Sequence, residues 1–327
     1  MNKKRTAFGI LIIVFVVAIF VSIRIGSVDV TYKDILTAIT TNEGGVVGII
    51  RNIRIPRVLM AVLIGANLAV SGVLLQGVMN NPMADPGITG ISAGASVVVM
   101  IVMLYMPQAI ASMPLFGFLG GLGACFLIYS LAWKKGLSPM RIVLAGVAVN
   151  SMLGGVSGML QILNSEDLTG VLNWLNGELG KKSWSQVKYV ALYSLVGLVS
   201  AFLLHRCLDL LALGDKNTKS LGYNPNVLRI VISCVGVLLA GISTAYVGII
   251  GFIGLVVPHI SRMLVGTSHK LLIPFSALLG STMLLITDTI GRTIISPYEI
   301  PVGIITTVCG GPFFLYLLRK DSNGYGD

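Results

Sequence analysis

Charge is scarce in this chain. Only 11% of its 327 residues are charged, where a soluble domain averages roughly 25%. Acidic residues are the scarcer kind, 13 against 23 lysines and arginines. Histidine occurs three times, at His205, His259 and His269, without metal-ligand spacing, so no metal site is expected. The four cysteines (Cys125, Cys207, Cys234, Cys309) form no C-x-x-C pair and read as packing residues. No G-x-x-x-x-G-K-[ST] string is present. The nearest, Gly214-Asp215-Lys216-Asn217-Thr218-Lys219-Ser220, lacks the second glycine of a phosphate cradle, so the chain is not expected to bind ATP itself. Charged residues are almost missing from the apolar runs, and Asp288, at the end of one, is the nearest candidate. A proton- or sodium-coupled carrier would show a buried carboxylate or a compact charge network. The sequence suggests neither, which puts the energy source outside the chain. No internal repeat or low-complexity linker divides residues 1–327, which read as one membrane domain.

Apolar runs near 20 residues fill most of the length. With 55% hydrophobic residues and 39 glycines, they describe an all-α, polytopic membrane protein. Ten spans fit: about 7–26, 58–78, 90–106, 115–133, 141–162, 186–206, 229–247, 250–265, 271–288 and 301–318. The first is too long for a signal-peptide core and has no A-x-A site, so it reads as an uncleaved span. Lys3, Lys4 and Arg5 precede it, Lys134 and Lys135 follow the fourth, and Arg319 and Lys320 follow the last. The bias of basic residues toward the cytoplasm places both termini there. A short helix is possible at 32–40, in the first outer segment. Trp174 and Trp184, in the outer stretch 164–185, suit a membrane-water interface.

One basic cluster breaks the bias. Arg51, Arg54 and Arg57 fall on the outer side, as do Lys33, Lys181, Lys182, Lys188 and Arg292. An outer face this basic implies an acidic partner. On the inner side the connection 207–227 carries Leu210, Leu213 and Leu221 among polar residues. Gly214 and the run Gly222 to Pro225 break it into two short amphipathic pieces, as expected of a docking knob for a cytoplasmic protein. The string Gly90-Ile91-Ser92-Ala93-Gly94 matches a nucleophile elbow, with His259 as a conceivable base. That elbow needs a strand-to-helix turn above a sheet, and here the string opens an apolar span. Close helix packing is the reading preferred for Gly90/Gly94, and equally for Gly117/Gly121 and Gly154/Gly158.

Several strings in order resemble the membrane subunit of ATP-driven importers for ferric siderophores, haem and cobalamin, the type II ABC importers. They are Arg54-Ile55-Pro56-Arg57; Gly65 to Gly72 leading to Asn81-Pro82-Met83-Ala84-Asp85-Pro86-Gly87; Ala212-Leu213-Gly214; Gly251 to His259; and Glu299-Ile300-Pro301-Val302-Gly303. The resemblance covers nearly the whole chain. It implies two permease subunits, identical or related, around a central path, two ATPase subunits beneath, and an extracytoplasmic substrate-binding protein above. It further implies that Arg54, Arg57 and Arg292 pair with acidic residues of that binding protein. A coupling segment, with Leu213, Gly214, Asp215, Ser220, Leu221 and Gly222, would seat on the ATPase. An inner gate would lie near Asn81, Pro82 and Met83 and near Ser138 and Pro139. ATP and magnesium would be bound by the partner ATPase, with no cofactor and no catalytic residue on this chain. The cargo implied is an iron chelate, ferric siderophore first, with haem and cobalamin open. The setting implied is a bacterial cytoplasmic membrane.

Overall fold

A computed structural model describes residues 2–26, 30, 31, 34, 45–87, 89–134, 136–164, 168–180, 182–295 and 298–321. Among them the apolar runs are helices: α1 Asn2–Arg24, α2 Ile55–Met79, α3 Ile91–Tyr105, α4 Met113–Ala132 and α5 Pro139–Leu163. The short α6 Leu168–Leu175 is followed by α7 Trp184–Leu203. Two further short helices, α8 His205–Ala212 and α9 Asp215–Ser220, lead to α10 Pro225–Val247, α11 Ile253–Val265, α12 His269–Thr293 and α13 Val302–Asp321. Seven helices are long and apolar enough to cross a membrane, and three shorter apolar ones begin at Ile91, Ile253 and Val302. The ten expected spans are therefore all helical. The helix suggested at 32–40 falls almost wholly outside the described residues, as do Lys33 and Lys181.

Local chemistry sets the helix starts. Pro56, Pro114, Pro139 and Pro225 occupy first-turn positions, where the missing N–H costs nothing. Ser183 and Gln186 form a reciprocal capping box at the start of α7. Gly214 (φ 87°) and Gly222 (φ 84°) take left-handed backbone at the two breaks expected in the segment 207–227.

Helix α2 is the axle. Nearly every residue from Gly65 to Gln76 is buried, and α12, α10, α11 and α7 all pack on it. Close approach depends on glycine: a Cβ at Gly65 would enter the backbone of Gly280, and one at Gly72 the backbone of Gly254. Polar groups in this core bond across helices. Asn67 Nδ2 donates to Ser194 Oγ at 2.7 Å, and Ser71 Oγ donates to the Gly236 carbonyl at 2.7 Å. In an apolar medium such groups need partners, and they fix helix registry as they find them.

Several expectations change here. Gly94 packs against Gly120 and Ala124, and Gly117 against Gly241 and Ala245, but Gly154 and Gly158 meet no atom within reach of a Cβ. Helix α5 turns most of its surface, including Met140, Leu144, Met152 and Met159, away from the rest of the chain. Trp174 is a core residue rather than an interface anchor. It is buried, and its Nε1 donates to the Ala245 carbonyl at 3.3 Å. Ser92 sits in the first turn of α3 after a series of turns, and no sheet exists among the described residues, so the nucleophile elbow is absent.

Candidate functional site: charged clusters at the two ends of the bundle

The first cluster surrounds the start of α2. A helical turn, Gly45–Ile49, and a π-helical turn, Ile50–Arg54, lead into the helix, with Arg51 left exposed and Arg54 turned inward. Arg54, Arg57 and Arg292 are all buried, contrary to the exposed basic face expected of them. Arg57 grips Asp288 through Nη2 at 2.9 Å and Nε at 3.1 Å, and its Nη1 donates to Glu299 Oε2 at 2.7 Å. Arg292 lies one turn beyond Asp288 on α12. Its Nε is 3.2 Å from Asp288 Oδ2, while Nη2 donates to Ser22 Oγ at 2.7 Å. Arg54 Nη1 donates to the carbonyls of Ile23 and Arg24 at 2.6 Å each. Desolvated charges need partners: Asp288 pairs with Arg57 and Arg292, and backbone carbonyls hold Arg54.

This cluster also corrects the expectation that the chain has no buried carboxylate or charge network. Asp288 is 2% exposed. The expected span ended at 288, whereas α12 continues to Thr293, which puts Asp288 and Arg292 on one helical face. Three guanidiniums face two carboxylates, so the cluster keeps a positive balance. Glu299 is the accessible member, with its side chain 52% exposed. It borders a polar pocket of about 200 Å³ lined by Arg57, Asn173, Glu178, Gly180 and Pro301. Nearby, the Lys182 amine donates to the Tyr246 carbonyl at 2.8 Å. Burial pulls the Lys182 pKa down from 10.5 to about 8; Glu178 opposes the shift and Arg57 adds to it.

The second cluster lies at the other end of α2. From Arg57 to Val78 the helix climbs about 30 Å, at about 1.5 Å per residue. Here α8 and α9 form a compact corner. Thr218 Oγ1 donates to the Leu210 carbonyl at 2.7 Å, and Leu208 packs against Gly77. Asp209 Oδ1 lies 2.6 Å from His269 Nδ1 at the start of α12. Asp215 takes a bidentate bond from Arg229, which sits one turn inside α10. Leu213 and Leu221 are more than half exposed, and Ser220, Gly222 and Tyr223 are exposed beside them. The segment 207–227 thus presents an exposed tip with Leu213 and Leu221 on a base fastened to the bundle.

The expected gate residues lie in two loops near this base. Asn81 Oδ1 accepts from the Met83 N–H at 2.9 Å, and Pro82 and Met83 are exposed. Ser138 and Pro139 open α5 after a loop whose Leu137 N–H donates to Asn226 Oδ1 at 3.1 Å. Sequence reasoning missed Arg229, because it set the start of that span at 229 when the helix begins at Pro225. An arginine one turn inside an apolar helix is a signal that a corrected boundary would have exposed.

Ten apolar helices, one of them the buried axle of the rest, with an exposed pair of short helices at one end, define a multi-pass transport protein. The chain belongs to the FecCD transport family, whose profile matches residues 13–320. It is 38% identical over 323 residues to the Fe(3+)-citrate import system permease protein YfmD of Bacillus subtilis, covering 98% of this chain and 97% of that one. It is 37% identical over 317 residues to the probable heme-iron transport system permease protein IsdF of Staphylococcus aureus, covering 97% and 96%. Among solved structures it superposes, with TM-score 0.84 and 30% identity, on a chain from a transporter assigned to the metal-chelate ABC type in an inward-facing conformation. That match covers 97% of this chain and 99% of the other. A more distant match, PsaBC of Streptococcus pneumoniae (TM-score 0.58, 17% identity, covering 87% and 94%), shares the fold.

Proposed function

We propose that this chain is the membrane-spanning permease subunit of an ATP-driven importer. It moves an iron chelate, delivered by an extracytoplasmic binding protein, by alternating access. The observation that carries the reading is the α8–α9 corner. Its exposed Leu213 and Leu221 stand on a base tied to α2, α10 and α12 through Leu208, Asp215 and Asp209. Such a corner suits a partner that pushes on it, and the chain has no phosphate cradle of its own. ATP and magnesium belong to two ATPase subunits, and this subunit catalyses no chemistry.

In this reading α8 and α9 face the cytoplasm, both termini lie on that side, and the setting is a bacterial cytoplasmic membrane. The exposed apolar surface of α5 meets lipid on part of its length and a second permease subunit, identical or related, on the rest. The binding protein docks at the opposite end. Its acidic side chains reach Arg57 through the pocket beside Glu299, with Arg54 and Arg292 holding the site positive. Asn81, Pro82, Met83, Ser138 and Pro139 form the inner gate. Ferric siderophore is the preferred cargo, and the ferric citrate and haem names of the relatives support an iron chelate. An ion-coupled carrier fits less well, because the buried Asp288 is held by two arginines and has no free proton-relay position.

Reconstitution tests this. The chain is co-expressed with the ATPase, permease and lipid-anchored binding protein of its own genome neighbourhood and assayed in proteoliposomes. ATP hydrolysis that requires this chain and rises with binding protein loaded with ferric siderophore is the expected result. A folded chain that recruits no ATPase overturns the proposal.

A further inference from the structure

Arg229 has the most connected side chain at the coupling end. It is 1% exposed. Its Nη2 donates to Asp215 Oδ1 at 2.7 Å, and its Nη1 to Asp215 Oδ2 at 3.1 Å. The same Nη1 lies 3.3 Å from the Leu137 carbonyl, and Nε donates to the Val78 carbonyl at 3.2 Å. One guanidinium thus joins three pieces of chain: the first residue of α9, the loop before Ser138 and Pro139, and the last turn of α2 before Asn80 to Met83.

The attachment of α9 makes this junction directional. Among the described residues, the side chains of Asn217, Thr218 and Ser220 bond to carbonyls within the segment 210–217. Among the described residues Asp215 alone carries a side-chain bond from α9 to the rest of the bundle. A bidentate carboxylate-guanidinium pair resists rotation as well as separation, because both groups are planar. Movement of α9 therefore reorients the Arg229 plane, and the two carbonyls on its other edges must follow or lose their donors. A buried carbonyl without a donor is costly, which favours following. Asn80, next to the Val78 attachment, has φ 43°, so the loop leaves α2 through a left-handed hinge at the point where Arg229 pulls.

We propose that Arg229 is the positioning residue that carries motion of the coupling segment to the two loops of the inner gate. Asp215 is its handle, and the carbonyls of Val78 and Leu137 are its outputs. This rests on the permease reading above and adds to it the path from the ATPase contact to the gate.

The test uses the complete reconstituted complex with spin labels at Met83→Cys and Met140→Cys, on a background with the four native cysteines replaced. The distance between labels is measured without nucleotide and with ATP and vanadate. Asp215 is half exposed, so Asp215→Asn keeps the fold while weakening the handle. Expected, measured on complexes that hold the ATPase, is an ATP-dependent distance change reduced about fivefold or more. Asp215→Glu restores most of the change, and Arg229→Lys, which keeps the charge without the fork, does not. A full distance change in Asp215→Asn overturns the inference. Loss of ATPase recruitment in Asp215→Asn also overturns it, since Asp215 would then be a contact to the ATPase. Absence of hydrolysis with the unsubstituted chain counts instead against the permease reading.

Discussion

Arg57 and Asp288 stand 231 positions apart in the chain and 2.9 Å apart in the fold, where one guanidinium covers both oxygens of a 2%-exposed carboxylate. The pair closes one end of the contact between α2 and α12, while Gly65 and Gly280 bring the two backbones together deeper in. Removing one member strands the other. Asp288→Ala is expected to destabilise the chain by about 3–5 kcal/mol, since it leaves Arg57 and Arg292 buried with less compensation. Thermal unfolding in detergent measures this. A loss below about 1 kcal/mol would mean that water reaches the cluster.

Glu299 should behave differently. It is half exposed and competes for Arg57 with any acidic group arriving from solvent. Glu299→Gln is expected to leave stability nearly unchanged and to tighten docking of the binding protein severalfold. The gain should shrink as salt rises. Surface plasmon resonance at two ionic strengths decides it, and unchanged affinity would mean that the partner does not reach Arg57.

The coupling tip offers a separation of stability from assembly. Leu213→Asp with Leu221→Asp alters two exposed side chains, so unfolding should move by no more than about 0.5 kcal/mol. Co-purification of the ATPase should nevertheless fall steeply, by about 30-fold if the two leucines are interface anchors. Normal recovery of the ATPase would remove the tip from the contact.

Glycine substitutions should sort by what lies opposite them. A side chain at Gly72 enters the Gly254 backbone, so Gly72→Val is expected to cost about 1–3 kcal/mol or more and to reduce membrane yield. Gly154→Ala meets nothing within the chain and should be close to neutral for folding of the isolated subunit. Equal losses at the two positions would contradict the packing described for α2 and α5.

Lys182 predicts an alkaline effect. Burial lowers its pKa from 10.5 to about 8, so the folded state holds that proton less tightly than the unfolded chain. Below pH 8 both states are charged and the penalty is fully present. Between about 8 and 10.5 the unfolded chain binds more protons, and stability should rise with pH. Lys182→Met should abolish this contribution, seen as a flatter dependence of unfolding midpoint on pH in that window. An unchanged slope would place the amine in water.

The ten spans were legible because a helix crossing apolar medium needs a long run of apolar residues whatever surrounds it. The breaks in the segment 207–227 were legible for an equally local reason. Gly214 and Gly222 adopt positive φ at the breaks, and Leu213 and Leu221, each preceding one of them, are exposed. Hidden were the partners of the charges. Arg54, Arg57 and Arg292 read as a basic surface because a sequence gives their side of the membrane but not their direction. Two boundaries, four or five residues short, concealed Arg229 inside α10 and Arg292 on the same face as Asp288.

The sequence by itself determined that this chain lies in a membrane, how many apolar helices it forms and where the connection between the sixth and seventh spans breaks. These follow from hydropathy and from backbone preferences that act over a few residues. Only the tertiary structure decided that Arg57 and Arg292 share Asp288, that α5 turns most of its surface away from the rest of the chain, and that Arg229 joins Asp215 to Val78 and Leu137. An ion pair across two helices depends on which helices become neighbours and how each is rotated. That choice is made by glycine contacts and buried surface spread over the whole bundle.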